Sequence, residues 1–451
     1  MTQDEEIAAL RVENAPLRAE LAATRDTLAQ IQARLAEVET RKTPAPAFVR
    51  PDKPRTEKES RRTREARHNQ GRRREEPTHS VAHALDRCPD CGYLLRGESV
   101  DWTRQVIDRP EPTPVVVTEH RFLKRQCPAC DRWQTPTPDW TGVVLGQGRC
   151  GVRLTSLVAD RAQVARLPVR TIQALLHTLY GLRLSVGAIG DLLHRLAAAT
   201  AGPREAVLAQ ARASAVAHRD ETGWREGGQN GDVWTFCTPG PDAVRYYARD
   251  RSRAGAVAAR LLTGFRGYLG TDFYSAYNGL VVKHQRCWAH VLRDLHALKE
   301  RHARDPTVLT WARRVRLRYD YAKRALAAPT PLHPDQRARL AQRLDATAHR
   351  LGLRYAGAAR KGHRCHALCH RLLRHQGALF AFVHVDGLSP DNNLAERSLR
   401  PLVIVRKVSS GTRSDTGTDT RMALATLFGT WQARGLDPFA ACLSLLHSSL
   451  P

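Results

Sequence analysis

Three carboxylates stand in settings that suit metal-assisted chemistry: Asp220 in AVAHRDETGW, Asp272 in GYLGTDFYSAYN and Glu396 in DNNLAERSLRP. The first two follow strand-like runs and the third sits on a helix-like segment. With a formal net charge of +26, this chain has cations enough to pair its acids away. Three left beside polar or aromatic turn residues point to a divalent-metal site for phosphodiester chemistry. Such chemistry needs a nucleophile activated, a leaving oxygen stabilised and a pentacovalent charge neutralised. Two hard cations about 3.5–4 Å apart do all of this when carboxylates hold them. An Asp fixed at the end of a central strand suits the bridging position, and the other two acids can approach from elsewhere in the sheet and from a helix.

Each acid also has a plainer reading. Asp220 adjoins Glu221, and strand alternation sends the two to opposite faces. Asp220 is favoured because it continues the set of Val216 and His218, although a turn or cap before Thr222 and Gly223 would also explain it. Asp272 before Phe273 and Tyr274 has the same capping alternative. Glu396 lies on a helix that Asp391 can cap, with Asn392 and Arg400 one turn to either side on its face. Its plain reading is a surface ion pair with Arg400, worth under about 1 kcal/mol.

The second motif is sulfur. CPDC supplies Cys88 and Cys91, CPAC supplies Cys127 and Cys130, and strand-like WTRQVID and VVVTEHRFLKRQ lie between. Each CxxC presents two thiolates, and two of them complete a tetrahedral four-cysteine zinc set as in zinc ribbons. A redox dithiol is the alternative, but no flanking βαβ pattern supports it. A closed four-thiolate site leaves no position for catalysis and contributes on the order of 10 kcal/mol to folding, so the Zn2+ is expected to be structural.

Composition narrows the partner. Lys and Arg number 71 against 45 acids, which favours a polyanion and above all nucleic acid. The excess of Arg over Lys suits phosphate binding but also fits a GC-rich genome. No apolar stretch approaches the roughly 20 residues that cross a bilayer, and MTQDEEIAAL is acidic rather than a signal peptide. The expectation is a cytoplasmic, nucleoid-associated protein without a membrane partner. At 451 residues and 42% hydrophobic, roughly two to four domains fit.

The elements that must position these groups fall in order. Residues 1–40 carry a heptad seam at Ile7, Leu10, Leu17, Leu21, Leu28, Ile31, Leu35 and Val38. With Pro16 starting the continuous helix, about three heptads of coiled coil remain; an amphipathic helix packed on its own chain is the alternative. Residues 41–80 read as a basic flexible linker, and 81–140 as the zinc-binding module. Residues 150–205 form short helices resembling a helix-turn-helix, able to set Arg183 and His194 on DNA, or an ordinary bundle. From 211 to 410, strand-like ASAVAH, DVWTFCTP and AVRYYARD, a helix and GYLGTD predict a mixed α/β sheet with Asp220 and Asp272 at or just after strand ends. The stretch 295–385 is helical, broken by PTPLHPDQ, and 411–451 is a C-terminal helical region.

DETGW, GTDFYSAYN, CWAHVLRDL and NNLAERSLRPLVIVRK, in that order, resemble the catalytic blocks of DDE transposases of bacterial insertion sequences, and most closely those of the insertion-sequence-66 family (TnpC type). The resemblance covers most of the chain. It implies an RNase H-like core with Asp220, Asp272 and Glu396 as a triad binding two Mg2+ (or Mn2+) ions, and a helical insertion between the second Asp and the Glu. It places an aromatic and a His after the fifth core strand, matched by Trp288 and His290, for which packing is the plain reading. Arg397, Arg400, Arg406 and Lys407 become candidates for gripping DNA phosphates, with solvation as the alternative. The implied activity is binding of the element's terminal inverted repeats, metal-dependent 3′-end cleavage and strand transfer into target DNA. The partners are DNA, at least a second protomer, and accessory proteins of the same element. The rivals are an RNase H-like nuclease that does not join, and a catalytically inactive zinc-containing DNA-binding protein.

Overall fold

The structure is a computed structural model in which residues 15, 19–33, 76–97, 99–100, 103–105 and 115–448 are described. The chain divides into two compact units, residues 1–109 and 110–451. In the first, residues 19–33 form helix α1, exposed throughout, with Leu21, Leu28 and Ile31 of the heptad seam on its surface. The remaining seam positions, Ile7, Leu10, Leu17, Leu35 and Val38, and linker residues 41–75 lie outside the described residues.

In the second unit, strands β1 (Arg125–Gln126) and β2 (Trp133–Gln134) pair antiparallel around the second CxxC. The expected strand over VVVTEHRFLKRQ is therefore strand only in its last two residues. Val116 and Val117 are exposed, so burial does not hold that run in a sheet. Of WTRQVID only residues 103–105 are described, and they are not strand.

Four helices follow: α2 (Val152–Gln163), α3 (Val169–Tyr180), α4 (Val186–Ala199) and α5 (Ala201–Ala213). Gly181 ends α3 at a φ of 64°, the left-handed cap a glycine tolerates. Ser185 Oγ accepts the Ala188 N–H at 3.0 Å and starts α4. Their apolar sides, among them Ile172, Leu176, Ile189 and Leu196, join one face of the sheet in a single core.

The sheet is built from β3 (Val216–Glu226), β4 (Gln229–Cys237), β5 (Arg245–Asp250), β6 (Tyr268–Thr271) and β7 (Lys283–Arg286), in the order β5-β4-β3-β6-β7. The first three form an antiparallel meander, and β6 and β7 run parallel to β3. Helix α6 (Gly255–Leu261) makes the crossover from β5 to β6. Along β3, Ala217 faces the core shared with α2–α6, and Val216 faces the opposite one, the alternation a two-sided sheet requires.

That opposite face is covered by α7 (Trp288–Arg301), α8 (Pro306–Leu326), α9 (Pro334–Ala356) and α10 (His366–Arg374). These are the expected helices between Asp272 and Glu396. Asp305 caps α8 by accepting the Thr307 and Val308 N–H groups at 3.0 and 3.2 Å. The PTPLHPDQ break is the α8–α9 loop, where Gln336 reaches back to the His333 N–H at 2.9 Å. Helix α11 (Asn393–Ser409) then lies on β3 and β4 around Trp224, Val233 and Leu402. Helices α12 (Asp415–Ala433) and α13 (Pro438–Ser448) return to the first core through Leu424, Leu427, Phe428 and Leu446.

One expectation is corrected here. Asp220 is not at the end of its strand: β3 runs on to Glu226 and pairs with β4 from His218–Cys237 to Glu226–Gln229. Thr222 and Gly223 are strand residues, and the turn falls at Gly227 and Gly228, both at positive φ. Burial of Trp224 beneath α11 and α12 gives the extended segment something to hold. On its other edge β3 does stop early, because pairing with β6 ends at His218–Gly270.

Candidate active site and zinc-finger module

The parallel register aligns the chemistry. His218 pairs with Gly270 and Thr271 pairs with Arg286, and the Cys287 N–H donates to the Thr271 carbonyl at 2.9 Å. Two residues past His218 stands Asp220; two past Gly270 stands Asp272. The carboxyl ends of parallel strands are where open α/β sheets take ligands.

Asp220 is partly buried, and its Oδ1 accepts the Glu221 N–H at 3.0 Å. Burial pushes its carboxyl up to about 8, and the charges of Glu221, Asp272 and Glu396 push the same way. The charges of Asp272 and Glu396 thus bear on Asp220. Glu221 serves the other face: it accepts the Tyr277 hydroxyl and the Arg253 Nη2 N–H, the latter at 2.6 Å. Its carboxyl is raised by burial, against the lowering effect of those two bonds.

Asp272 follows β6 directly. Its Oδ1 accepts the Tyr274 N–H at 2.9 Å, so the turn role is real and uses one carboxylate oxygen. Arg286, nearly fully buried, fastens this turn by donating to Thr271 Oγ1 (3.0 Å), Asp272 O (2.9 Å), Tyr277 O (3.2 Å) and Asn278 Oδ1 (3.0 Å).

Glu396 sits in the first turn of α11, placed by the buried residue just before the helix. Asn392 donates through Nδ2 to the Arg219 carbonyl at 2.8 Å, its Oδ1 lies 3.3 Å from His218 Nδ1, and its N–H donates to Cys287 Sγ at 3.2 Å. One side chain thus docks α11 onto β3 beside Asp220. Asp391 Oδ1 accepts the Asn393 N–H at 3.1 Å, but the helix cap is Asn392, which makes no side-chain cap bond, so Asp391 sits one residue before the expected capping position. Among the described residues no ion pair joins Glu396 to Arg400, and none holds Asp220 or Asp272.

The other predicted residues divide. Trp288 is fully buried, donates to the Leu379 carbonyl at 2.5 Å and packs 5.1 Å from the Tyr319 and Phe380 rings, so it is a core residue. His290 is partly buried and lies beside Cys287 and Glu396. Arg397, Arg400 and Lys407 are exposed on α11. Arg406 is partly buried and donates to Thr222 Oγ1 at 3.1 Å and to the Gly223 carbonyl, tying α11 to the extended half of β3. Of the two helical candidates, His194 turns inward to Thr420 Oγ1 at 2.6 Å, while exposed Arg183 donates to His177 Nε2 at 3.3 Å.

Asn392, Arg286 and Cys287 were not singled out as site residues. Asn392 could have been found from the Asn-Asn pair opening α11, and Cys287 from its place one residue past β7. A buried arginine has no sequence signal.

The donor set fits hard divalent cations. Burial and like charge disfavour a bare carboxylate at Asp220, and the buried Arg286 guanidinium bears on Asp272.

The two CxxC segments are built alike, each within its own unit. In the first, the Gly92 N–H donates to Cys88 O at 2.8 Å and the Cys88 N–H to Tyr93 O at 2.9 Å; in the second, the Asp131 N–H donates to Cys127 O at 2.9 Å and the Cys127 N–H to Arg132 O at 2.9 Å. Gly92 and Asp131, each just after the second cysteine, take φ of 72° and 55°. Backbone N–H groups facing sulfur lower the thiol pKa of Cys88, chiefly that of Cys91, and of Cys127, chiefly that of Cys130. Such knuckles present thiolates to a metal.

A mixed sheet carrying Asp220, a basic chain and paired CxxC knuckles define this molecule. Residues 147–420 match the family described as Transposase IS66 family, and residues 86–131 match the zinc-finger binding domain of transposase IS66. The chain belongs to the IS66 transposase family. The zinc-finger match supports a structural zinc ion. The chain is also similar to the uncharacterized protein y4qI of Sinorhizobium fredii (strain NBRC 101917 / NGR234), 30% identical over 213 residues, covering 44% of this chain and 38% of that relative. The chain thus spans well under half of the relative's length. No described helix is long and apolar enough to cross a membrane.

Proposed function

We propose that this transposase cleaves the 3′ ends of its insertion sequence and joins them to target DNA, using Asp220, Asp272 and Glu396. The observation that supports this is that the charges of Asp272 and Glu396 both bear on the partly buried Asp220. The strand order β5-β4-β3-β6-β7, an antiparallel meander continued by two parallel strands, supports an RNase H-like core.

Asp220, Asp272 and Glu396 would hold Mg2+, as two ions, or Mn2+. Bound there, such cations polarise a phosphodiester and generate a nucleophile from water or a DNA 3′-hydroxyl. The chain's own part is placement: Asn392 fixes the start of α11, and Arg286 fixes the turn carrying Asp272. Arg397, Arg400 and Lys407, on the helix that carries Glu396, would neutralise DNA phosphates. Arg406 serves mainly to anchor that helix.

Around this core we assign residues 1–40 to a coiled coil, 41–80 to a basic linker, 81–140 to a zinc-binding module held by Cys88, Cys91, Cys127 and Cys130, and 150–205 to a helical DNA-binding segment. The exposed Leu21, Leu28 and Ile31 of α1 support a coiled-coil dimer. Pairing two element ends requires at least two protomers, and accessory proteins of the element would join them at the nucleoid.

Joining is what separates this reading from a nuclease. Incubating the full chain in Mg2+ with pre-cut element ends and a target plasmid should yield covalently joined product. Cleavage of uncut ends with no joining would replace the proposal by the nuclease reading, and absence of both by that of a DNA-binding protein.

A further inference from the structure

Beside the oxygen donors of the triad, one trio of side chains among the described residues combines sulfur, nitrogen and oxygen. Cys287 stands just past β7 at the N-cap of α7. His290 follows three residues later, nearly one helical turn, so both project on the same side. Glu396 arrives from the first turn of α11. One ligand atom from each lies within 4.8 Å of the others. Cys287 is fully buried, and its sulfur receives the Asn392 N–H at 3.2 Å. His290 Nδ1 is buried and has no hydrogen-bond partner. An imidazole nitrogen left so is destabilising, and neither the packing of Trp288 nor the carboxylate chemistry uses it.

We propose that Cys287, His290 and Glu396 form a binding site for a borderline-soft transition cation of the zinc class, sharing Glu396 with the carboxylate triad. Magnesium takes oxygen ligands in near-octahedral geometry and has little use for sulfur or imidazole. A thiolate, an imidazole and a carboxylate instead suit zinc or cobalt, three protein ligands leaving one tetrahedral position open. Ligand atoms on one such ion stand about 3.5 Å apart, so the trio needs side-chain shifts on the order of 1 Å. Binding releases the Cys287 thiol proton to solvent as the metal–thiolate bond forms. A carboxylate committed to this ion is withdrawn from the hard-cation site, so zinc-class ions inhibit magnesium-dependent DNA processing. That consequence rests on the function proposed above; the binding itself does not.

The test is a Co2+ titration of full-length protein whose zinc module is already loaded with zinc, following sulfur-to-cobalt charge-transfer absorption and the metal content of the washed protein. The expected result is one cobalt per chain with zinc retained. The charge-transfer band should be lost in Cys287→Ser, and affinity should fall at least about tenfold in His290→Gln. Wild-type protein that takes up no cobalt beyond displaced zinc overturns the proposal. So does an undiminished band in Cys287→Ser, or in His290→Gln should the serine variant not fold. The readout needs neither DNA nor magnesium, so its failure is separate from failure of the DNA-processing reading.

Discussion

Asp220 and Asp272 each lie two residues beyond a paired position: His218 of β3 pairs with Gly270 of β6, Asp220 stands farther along β3, Asp272 stands just past the end of β6, and the Asp272 charge raises the Asp220 carboxyl. Everything else about the site is arranged around this pair. Glu396 joins from a helix whose start is tied to the same strand through Asn392.

That tie predicts a separation of stability from chemistry. Asn392→Ala leaves the buried His218 ring and Arg219 carbonyl without a partner, costing about 1–3 kcal/mol in chemical denaturation. By loosening α11 it should lower cleavage about 10–100-fold. Gly270→Ala attacks the same joint, because a Cβ there would overlap the His218 ring. It should lower the unfolding midpoint and cleavage together, and wild-type behaviour of both variants would remove Asn392 from its positioning role.

The pH dependence follows from buried groups of opposite sign. Burial lowers His218, His284 and His375 to about 4, whereas an unfolded histidine titrates near about 6.5. As pH falls through that window the unfolded chain binds protons that the folded one refuses, so stability drops by up to about 1.4 kcal/mol per unit of pKa shift and group. Asp220, raised to about 8 chiefly by burial, does the reverse: in metal-free protein its contribution worsens as pH rises from about 4 to about 8. Mg2+ competes with that proton. Thermal unfolding should therefore show a larger Mg2+ stabilisation at about pH 8 than at about pH 6, and Asp220→Asn should erase the difference.

Substituting Ser for Cys88, Cys91, Cys127 or Cys130 should reduce bound zinc and abolish binding to element ends, since structural zinc supplies about 10–16 kcal/mol in finger peptides. The thermal transition of the core should persist, because its three apolar clusters draw on none of these residues. Metal analysis and calorimetry on the same samples check this.

Arg397→Ala and Arg400→Ala remove exposed charges from the helix carrying Glu396. Each should weaken DNA binding across sequences and reduce the slope of log affinity against log salt by about 1. An unchanged slope would mean that these side chains are merely solvated.

Much of this was legible from residue pattern. The apolar periodicity of α7–α10, the Ser185 cap, the strand before Asp272 and the helix bearing Glu396 are local signals, and the structure follows them. The extent of β3 was not legible, since Thr222-Gly223 resembles a turn until Trp224 finds its partners on α11 and α12. Nor were the roles of cations: Arg219 and Arg286 are buried against carbonyls contributed by distant residues, and Arg406 spends its charge anchoring a helix. Trp288 was a candidate through the family resemblance alone, and its plain reading as packing is what the structure shows.

The central claim is that three acids remote in sequence work as one. End-cleavage by wild-type protein in Mg2+, run beside Asp220→Asn, Asp272→Asn and Glu396→Gln variants of confirmed fold, tests it most directly. The account predicts that each substitution lowers cleavage by at least about 100-fold and that pairs of substitutions add little further, as expected of residues acting as a unit. Undiminished cleavage by a folded Asp272→Asn protein would contradict it.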